Sequence, residues 1–215
     1  MLILNPAFFV ILLVIAFYAI FIAYSDFDKF SSNIEQFKFE FLPLILFFSF
    51  VGIVVNGFRQ NILLKTVGIK ISIKQNILLY LAGLSMIITP GGAGQAIKSY
   101  YLKKKFGYNI SKTLPLVFVE KFQDFITLVS ILSFLLIFIQ INEIIILDVI
   151  MILLITIIYI TFRIKGIFNK IVRIFKKISR LNKFLVALSE SYESLHAMTS
   201  PKTMFKNWFL GILSW

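Results

Sequence analysis

The strongest constraint in this sequence is a helix break inside an apolar segment. Residues 77–88 form an apolar run that ends at Thr-Pro-Gly-Gly-Ala-Gly-Gln, residues 89–95, which we call the glycine break. Proline lacks an amide proton and obstructs the preceding turn, and glycine permits left-handed backbone, so a helix cannot continue through this segment. Lipid cannot satisfy the N–H groups that are freed there, so at membrane depth the break must be buried in protein or line a wet cavity.

The chain after the break can restart as a helix over residues 95–105, and the start of that helix is a candidate anion site. A helix N-terminus presents unpaired N–H donors and partial positive charge, and a lysine follows about one turn later. The predicted lipid headgroup and phosphate-binding residues are therefore Pro90, Gly91, Gly92, Gly94, Gln95 and Lys98. The alternative is a glycine-rich loop between two ordinary helices.

The composition assigns the chain to a membrane. Of its 215 residues, 59% are hydrophobic and 15% are charged, with a mean hydropathy of +0.92. A net charge of +12 then indicates basic membrane edges and contact with anionic lipid, and no nucleic acid partner is expected. The sequence has no cysteine and a single histidine, so we expect no disulfide, metal site or cofactor. It also shows no catalytic nucleophile or Walker motif, and we do not predict an enzyme.

Further apolar runs predict an all-α polytopic membrane protein. Residues 7–24 are uncharged, residues 41–58 and 144–162 form further apolar runs, and residues 114–141 are mostly apolar. Since roughly 20 apolar residues cross a ~30 Å hydrocarbon core, we expect about five to six membrane segments in a single domain, 1–215. The last apolar stretch ends at Trp215, before it is long enough to cross a membrane. We therefore expect the chain to be truncated at its C-terminus.

The distribution of basic residues favours a re-entrant hairpin at the glycine break. If residues 75–94 enter and leave on one side, 19 of the 21 Lys and Arg residues other than Lys121 share that face, against 17 of 21 if the segment crosses. Because basic loops mark the cytoplasmic side, we place the basic loops and the tail in the cytoplasm. The expected location is the cell membrane, with several passes.

Residues 163–184 alternate basic and apolar residues with the period of a helix. We expect a basic amphipathic helix that lies in the headgroup layer of an anionic leaflet. The alternative is a basic helix packed on a soluble partner.

A second group of charges lies early in the apolar run at 114–141. On a helix Glu120 and Asp124 share a face, and Lys121 points about 100° away. Charges at this depth cost roughly 2.5–3.5 kcal/mol each, so they normally face a partner or a water-filled path. The expected partners of the carboxylates are Lys98 and Arg59, or the cationic part of a lipid headgroup. The alternative is that the segment breaks here and these charges sit at the membrane interface, with the span beginning only at Phe125.

These motifs resemble the transmembrane region of lysylphosphatidylglycerol synthases. The resemblance rests on Pro-Gly-Gly-Ala-Gly-Gln-Ala-Ile-Lys at 90–98, Phe-Gly at 106–107 and Glu-Lys-Phe-Gln-Asp at 120–124. This flippase-like family includes stand-alone membrane proteins without the synthase domain, and it implies an all-helical fold with re-entrant segments and a lipid path between leaflets. Gln95 replaces the usual Glu of the family, and Lys98 and Lys121 replace Arg. Lysine keeps the charge but loses the bidentate fork, which indicates weaker or different headgroup recognition.

The leading functional hypothesis is a flippase-like protein that binds a phospholipid or polyprenyl-linked lipid and translocates it across the cytoplasmic membrane. The phosphate of this lipid would bind at the glycine break, with Lys98 as its counter-charge. Glu120 and Asp124 would contact the positive part of the headgroup. The alternative is a membrane subunit or anchor of a glycosyltransferase or lipid-modifying enzyme, which binds lipid without moving it. A purely structural membrane protein is a third hypothesis. The expected partners are membrane lipids, with an enzyme or a second copy of the chain as further candidates.

Overall fold

The structure is a computed structural model that describes residues 15–16, 38–87, 89, 94–139, 141–175 and 189–215. Within these ranges every regular element is helical, in agreement with the predicted all-α class. A 3-10 turn at Phe39–Phe41 is followed by α1 (Leu42–Thr66), α2 (Ile73–Leu84), α3 (Ile97–Phe106), α4 (Ile110–Thr113), α5 (Pro115–Leu136), α6 (Asn142–Arg163), α7 (Lys165–Phe175), α8 (Tyr192–Met198) and α9 (Pro201–Ser214). The chain divides into two compact units, Met1–Phe47 and Phe48–Trp215.

Two helices in the described part of the chain, α1 and α6, are long and apolar enough to cross a membrane. They correspond to the predicted spans at 41–58 and 144–162. Helix α1 continues past its predicted end because Arg59, Gln60 and Asn61 are buried against protein, so their polarity does not end the helix. The predicted span at 7–24 lies outside the described residues, apart from residues 15 and 16.

Helices α2 and α3 pack against each other on either side of the glycine break. They rise about 18 Å and 15 Å, which is too short for a ~30 Å hydrocarbon core. Their outer ends meet where the Tyr108 hydroxyl donates to and accepts from the backbone of Lys70. Their inner ends meet where Lys98 crosses Gly83. The two helices are therefore antiparallel, and the chain enters and leaves the pair at the same end.

Local sequence accounts for the outer ends of this helical pair. Ser72 and Gln75 form a capping box that starts α2, each side chain accepting a hydrogen bond from the other residue's backbone N–H. Gly107 ends α3 in the left-handed conformation with φ of 74°, which glycine adopts without steric cost. Gly107 therefore ends α3 before the chain continues into α4.

Helix α5 is the element against which the others assemble, since α4, α6, α8 and α9 all pack on it. It is continuous from Pro115, which occupies the first turn, to Leu136. The helix therefore does not break at the charged group, while the position of these charges relative to the membrane stays a prediction. A cluster of buried apolar side chains packs around its first half and connects it with α1, α2, α3, α7 and α8: Leu63, Leu64, Ile69, Leu79, Leu102, Leu116, Val119, Phe168, Val172, Tyr192, Leu195 and Met198.

The amphipathic segment is described as α7 up to Phe175, and residues 176–184 lie outside the described part of the chain. Phe168 and Val172 are buried in the protein, and the ring centroids of Phe168 and Tyr192 are 5.0 Å apart. Part of the apolar face therefore packs on the core, while Ile167 and Ile174 remain exposed. Contact of this helix with an anionic leaflet stays a prediction.

Candidate functional site: a charged cavity between four helices

An ion pair connects the helical pair α2–α3 to α5. Lys98 lies on the first turn of α3, and its Nζ donates to Glu120 Oε2 at 2.6 Å. The Lys98 side chain is only 2% exposed and that of Glu120 12% exposed. Lys98 Nζ also lies 5.0 Å from the centre of the Tyr80 ring, a cation–π distance. This lysine is therefore held by a carboxylate and an aromatic face inside the protein.

A second ion pair connects α1 to α5. Arg59 is 4% exposed, and its Nη1 donates to Asp124 Oδ1 at 2.8 Å and to Asn56 Oδ1 at 2.6 Å. Asp124 Oδ2 also lies 3.5 Å from Lys121 Nζ, and Lys121 is the more exposed partner at 46%. The predicted partners thus meet the two carboxylates one to one, Lys98 with Glu120 and Arg59 with Asp124.

The helices set these charges at a common depth. Arg59 lies about 10 Å before the end of α1, and Glu120 and Asp124 lie about 8 Å and 14 Å after the start of α5. The spacing of four residues places both carboxylates on one side of α5. Two cations and two carboxylates therefore face each other inside the bundle, which compensates charges that would otherwise be costly to bury.

Gly83 on α2 makes room for the Lys98 side chain. A Cβ atom added at Gly83 would overlap the Lys98 Cε and would lie 3.1 Å from its Cδ. Real Cβ contacts almost never come this close, so a side chain at this position would displace the lysine. The close approach of α2 and α3 and the position of the Lys98 ammonium both depend on this glycine.

Several polar atoms at this site have no partner among the described residues. These atoms are Arg59 Nε, Arg59 Nη2, Gln95 Nε2 and Glu120 Oε1, and all are buried. Three of the four are N–H donors, and Gln95 is 3% exposed. Because buried donors normally find an acceptor, these unpaired donors indicate a site that can accept an anionic or polar ligand.

These side chains line one small cavity. Its lining comprises Asn56, Arg59, Tyr80, Leu84, Gln95, Lys98, Glu120, Lys121, Gln123 and Asp124, and its volume is about 20 Å³. That is room for about one water molecule. This volume is too small for a phosphate group.

The glycine break itself is described only at residues 89, 94 and 95. Gly94 N donates to Thr89 Oγ1 at 2.7 Å, which closes a turn across the break. Pro90, Gly91 and Gly92 lie outside the described residues. The predicted phosphate contacts of these three residues therefore stay a prediction, while Gln95 and Lys98 lie in the wall of the cavity.

The structure adds polar residues that the sequence analysis did not assign to the site. Gln60 Nε2 donates to Asn76 Oδ1 at 2.7 Å and ties α1 to α2. Asn207 Nδ2 donates to Gln123 Oε1 at 3.1 Å and to the Arg59 carbonyl at 3.3 Å, which ties α9 to α5 and α1. These amides fix the helices that carry the ion pairs. The sequence signal that could have identified them is the presence of polar residues inside apolar helices.

Asp148 is a further buried carboxylate, on the apolar helix α6, that the sequence analysis passed over. It is 6% exposed on α6, and Ser133 Oγ of α5 donates to its Oδ2 at 2.8 Å. An acidic residue within an apolar span is a functional candidate by default, and this rule would have singled it out.

Comparison with known proteins agrees with these features. A family model described as the lysylphosphatidylglycerol synthase TM region matches residues 9–215. The chain belongs to this family. Membership, together with two apolar helices suited to crossing a bilayer, makes it a membrane protein of lipid metabolism or translocation. Searches of curated proteins and of solved structures found no match to this chain.

Proposed function

We propose that this lysylphosphatidylglycerol synthase TM-region protein binds the phosphate-bearing headgroup of a lipid in the charged cavity and moves the lipid between the leaflets of the cell membrane. The observation that supports the proposal is that Arg59 and Gln95, which have buried N–H donors without a partner among the described residues, line the same cavity as Lys98. A phosphate accepts several hydrogen bonds at once and compensates positive charge. A phospholipid and a polyprenyl phosphate both offer this group.

Binding proceeds by exchange of ion pairs. Because the closed cavity has a volume of only about 20 Å³, a phosphate can reach Lys98 only when the Lys98–Glu120 pair opens. The phosphate then replaces Glu120 as the partner of Lys98 and takes up the free donors of Arg59. The released carboxylate meets the ammonium of a zwitterionic or aminoacylated headgroup. With such a headgroup every charge has a partner again once the lipid is bound, which avoids the cost of an uncompensated buried charge.

The antiparallel pair α2–α3 supplies the path to the cavity in this proposal. We place it as a re-entrant hairpin whose outer end, at Lys70 and Tyr108, faces the cytoplasm together with the basic residues of α3. Lys103, Lys104 and Lys105 in the last turn of α3 are exposed, and each basic residue contributes on the order of 1 kcal/mol at an anionic leaflet. The headgroup therefore reaches Lys98 from the cytoplasmic side.

Full-length protein in liposomes with a fluorescent NBD-labelled lipid tests the proposal. Dithionite destroys the label only in the outer leaflet, so protein that moves lipid makes a larger fraction of the label accessible. We expect this increase for the wild type and its loss in Lys98→Ala and Asp124→Asn. Lys98→Arg should retain movement, because arginine keeps the charge and adds a bidentate fork. Lys165→Ala is the matched control, since this lysine is exposed and lies on α7.

The possible results separate the candidate functions. Wild-type vesicles that match protein-free vesicles would refute translocation. Binding of the labelled lipid without movement, lost in Lys98→Ala, would favour a subunit or anchor of a lipid-modifying enzyme. Running the assay in parallel with a diacyl phospholipid and a polyprenyl phosphate identifies the lipid class.

A further inference from the structure

A trough runs along the surface of α5 from Gln123, a residue that also lines the charged cavity. Its floor is formed by Gln123, Ile126, Ser130 and Ser133. These residues are three, four and three positions apart, so they lie on one face of the helix. The floor extends about 15 Å along the helix axis. We call this surface the α5 trough.

The trough consists of two open hollows that share Ile126. The first, of about 260 Å³, has a wall of Met204, Phe205 and Trp208 on α9. The second, of about 380 Å³, has a wall of Ile152, Ile155 and Thr156 on α6. The first hollow also shares Gln123 with the charged cavity, whose volume is about 20 Å³. The charged cavity and the two hollows therefore follow one another along α5.

The hydroxyl groups in the trough are already satisfied within the protein. Ser130 Oγ donates to the Ile126 carbonyl at 2.8 Å and accepts from Trp208 Nε1 at 3.0 Å. Ser133 Oγ is within hydrogen-bond distance of the Val129 carbonyl and of Asp148 Oδ2. Thr156 Oγ1 donates to the Ile152 carbonyl at 2.9 Å. A polar headgroup would find few free partners here, while an apolar chain requires none.

We propose that the α5 trough binds a long hydrocarbon chain of the lipid whose phosphate occupies the charged cavity. This inference rests on the proposed function for the headgroup and adds a site for the tail. The bound lipid lies lengthwise along α5, with its phosphate near Lys98 and its chain over Ile126 toward Ser133. Residues of α9 flank the first part of the chain, and residues of α6 flank the second part. A fatty acyl chain and a polyprenyl chain share this chemistry.

Photochemical crosslinking of the full-length protein in lipid nanodiscs tests the site directly. The probes are a phosphatidylethanolamine with a diazirine in its acyl chain, a polyprenyl phosphate with a diazirine in its prenyl chain, and a diacylglycerol that carries the same diazirine but no phosphate. Mass spectrometry of the labelled peptides should show several-fold more label at Ile126 and Met204 than at Ile146 and Ile157, which are exposed on α6. The probe that gives the stronger enrichment identifies the chain type. Equal labelling of the two sets with both phosphate probes would overturn the proposal.

Substitutions then test the connection between tail and headgroup. Ile126→Trp fills the junction of the two hollows and should abolish labelling at Met204, while Leu128→Trp, on an exposed face of the same helix, should leave it unchanged. Lys98→Ala should lower trough labelling by the phosphate probes but not by diacylglycerol. Equal labelling of wild type and Lys98→Ala by the phosphate probes would contradict a shared lipid.

The results of these experiments distinguish a failure of the tail site from a failure of the proposed function. Normal lipid movement in folded Ile126→Trp would overturn the tail site and leave translocation standing. Trough labelling that depends on Lys98, without movement in the liposome assay, would support the tail site and refute translocation. Because the labelling experiment uses wild-type protein first, a folding defect in the tryptophan variant does not decide the outcome.

Discussion

Removal of the Lys98 charge should destabilise the protein more than removal of a surface lysine. The Lys98 and Glu120 side chains are 2% and 12% exposed, and their charged atoms lie 2.6 Å apart. Glu120 Oε1 has no other partner among the described residues, so Lys98→Met leaves a buried carboxylate without a counter-charge. Breaking a buried pair from one side costs about 3–5 kcal/mol. For a chain of this length that corresponds to a fall of about 6–20 °C in the melting temperature.

Replacement of both partners should recover part of this loss. In Lys98→Met/Glu120→Met no unpaired charge remains, and exchange of a whole buried pair for apolar residues is often close to neutral. We expect the double variant to be more stable than the sum of the two single changes predicts, by about 0.5–3 kcal/mol. Thermal unfolding in detergent, followed by tryptophan fluorescence, measures all four proteins. Trp208 is a suitable reporter because its Nε1 donates to Ser130 across the contact of α9 with α5.

The surface pair Lys165–Glu193 provides the matched control. Its side chains are 64% and 81% exposed and 3.3 Å apart, so Lys165→Met should cost under about 1 kcal/mol. If Lys98→Met costs no more than Lys165→Met, and the Lys98 and Glu120 changes add strictly, then these charges are not a coupled buried pair. The ion-pair exchange proposed for headgroup binding would lose its structural basis.

Two further changes test how the glycine break is held and oriented. Gly83→Ala should push Lys98 away from Glu120, abolish lipid movement and lower the stability by about 1–3 kcal/mol through overpacking. The control is Gly166→Ala, where nothing lies within 4 Å, and it should leave both lipid movement and stability intact. A fully active Gly83→Ala protein would contradict the packing argument. Single cysteines in place of the exposed Lys70 and Lys104, in a chain that has no cysteine of its own, should react with an impermeant thiol reagent from the same side of the membrane. Labelling from opposite sides would rule out the re-entrant arrangement.

Much of the fold follows from local sequence chemistry. Apolar length predicted α1 and α6, and the proline and glycines at residues 89–95 predicted an end to the helix before them, which the structure places at Leu84. Each of these features is decided within a few residues by backbone sterics, missing donors or the cost of exposing polar groups to lipid. The family resemblance rested on motifs of the same local kind, and the family match over residues 9–215 confirms it.

The limits of local inference are visible in α7. Its sequence period predicted an amphipathic helix correctly, and a helix is present from Lys165 to Phe175. The period cannot tell whether an apolar face meets lipid or protein, because both are apolar surroundings. The structure shows that Phe168 and Val172 of this face are buried in the protein core.

Sequence alone determined which charges would need partners, and tertiary structure decided which partners they received. Glu120 and Asp124 were recognisable because carboxylates in an apolar helix are costly without compensation. Their pairing with Lys98 and Arg59 joins residues 22 and 65 positions apart, and such contacts depend on how whole helices pack. The role of Gly83 and the course of the α5 trough have the same origin. Both are properties of the space between helices, and no single segment encodes that space.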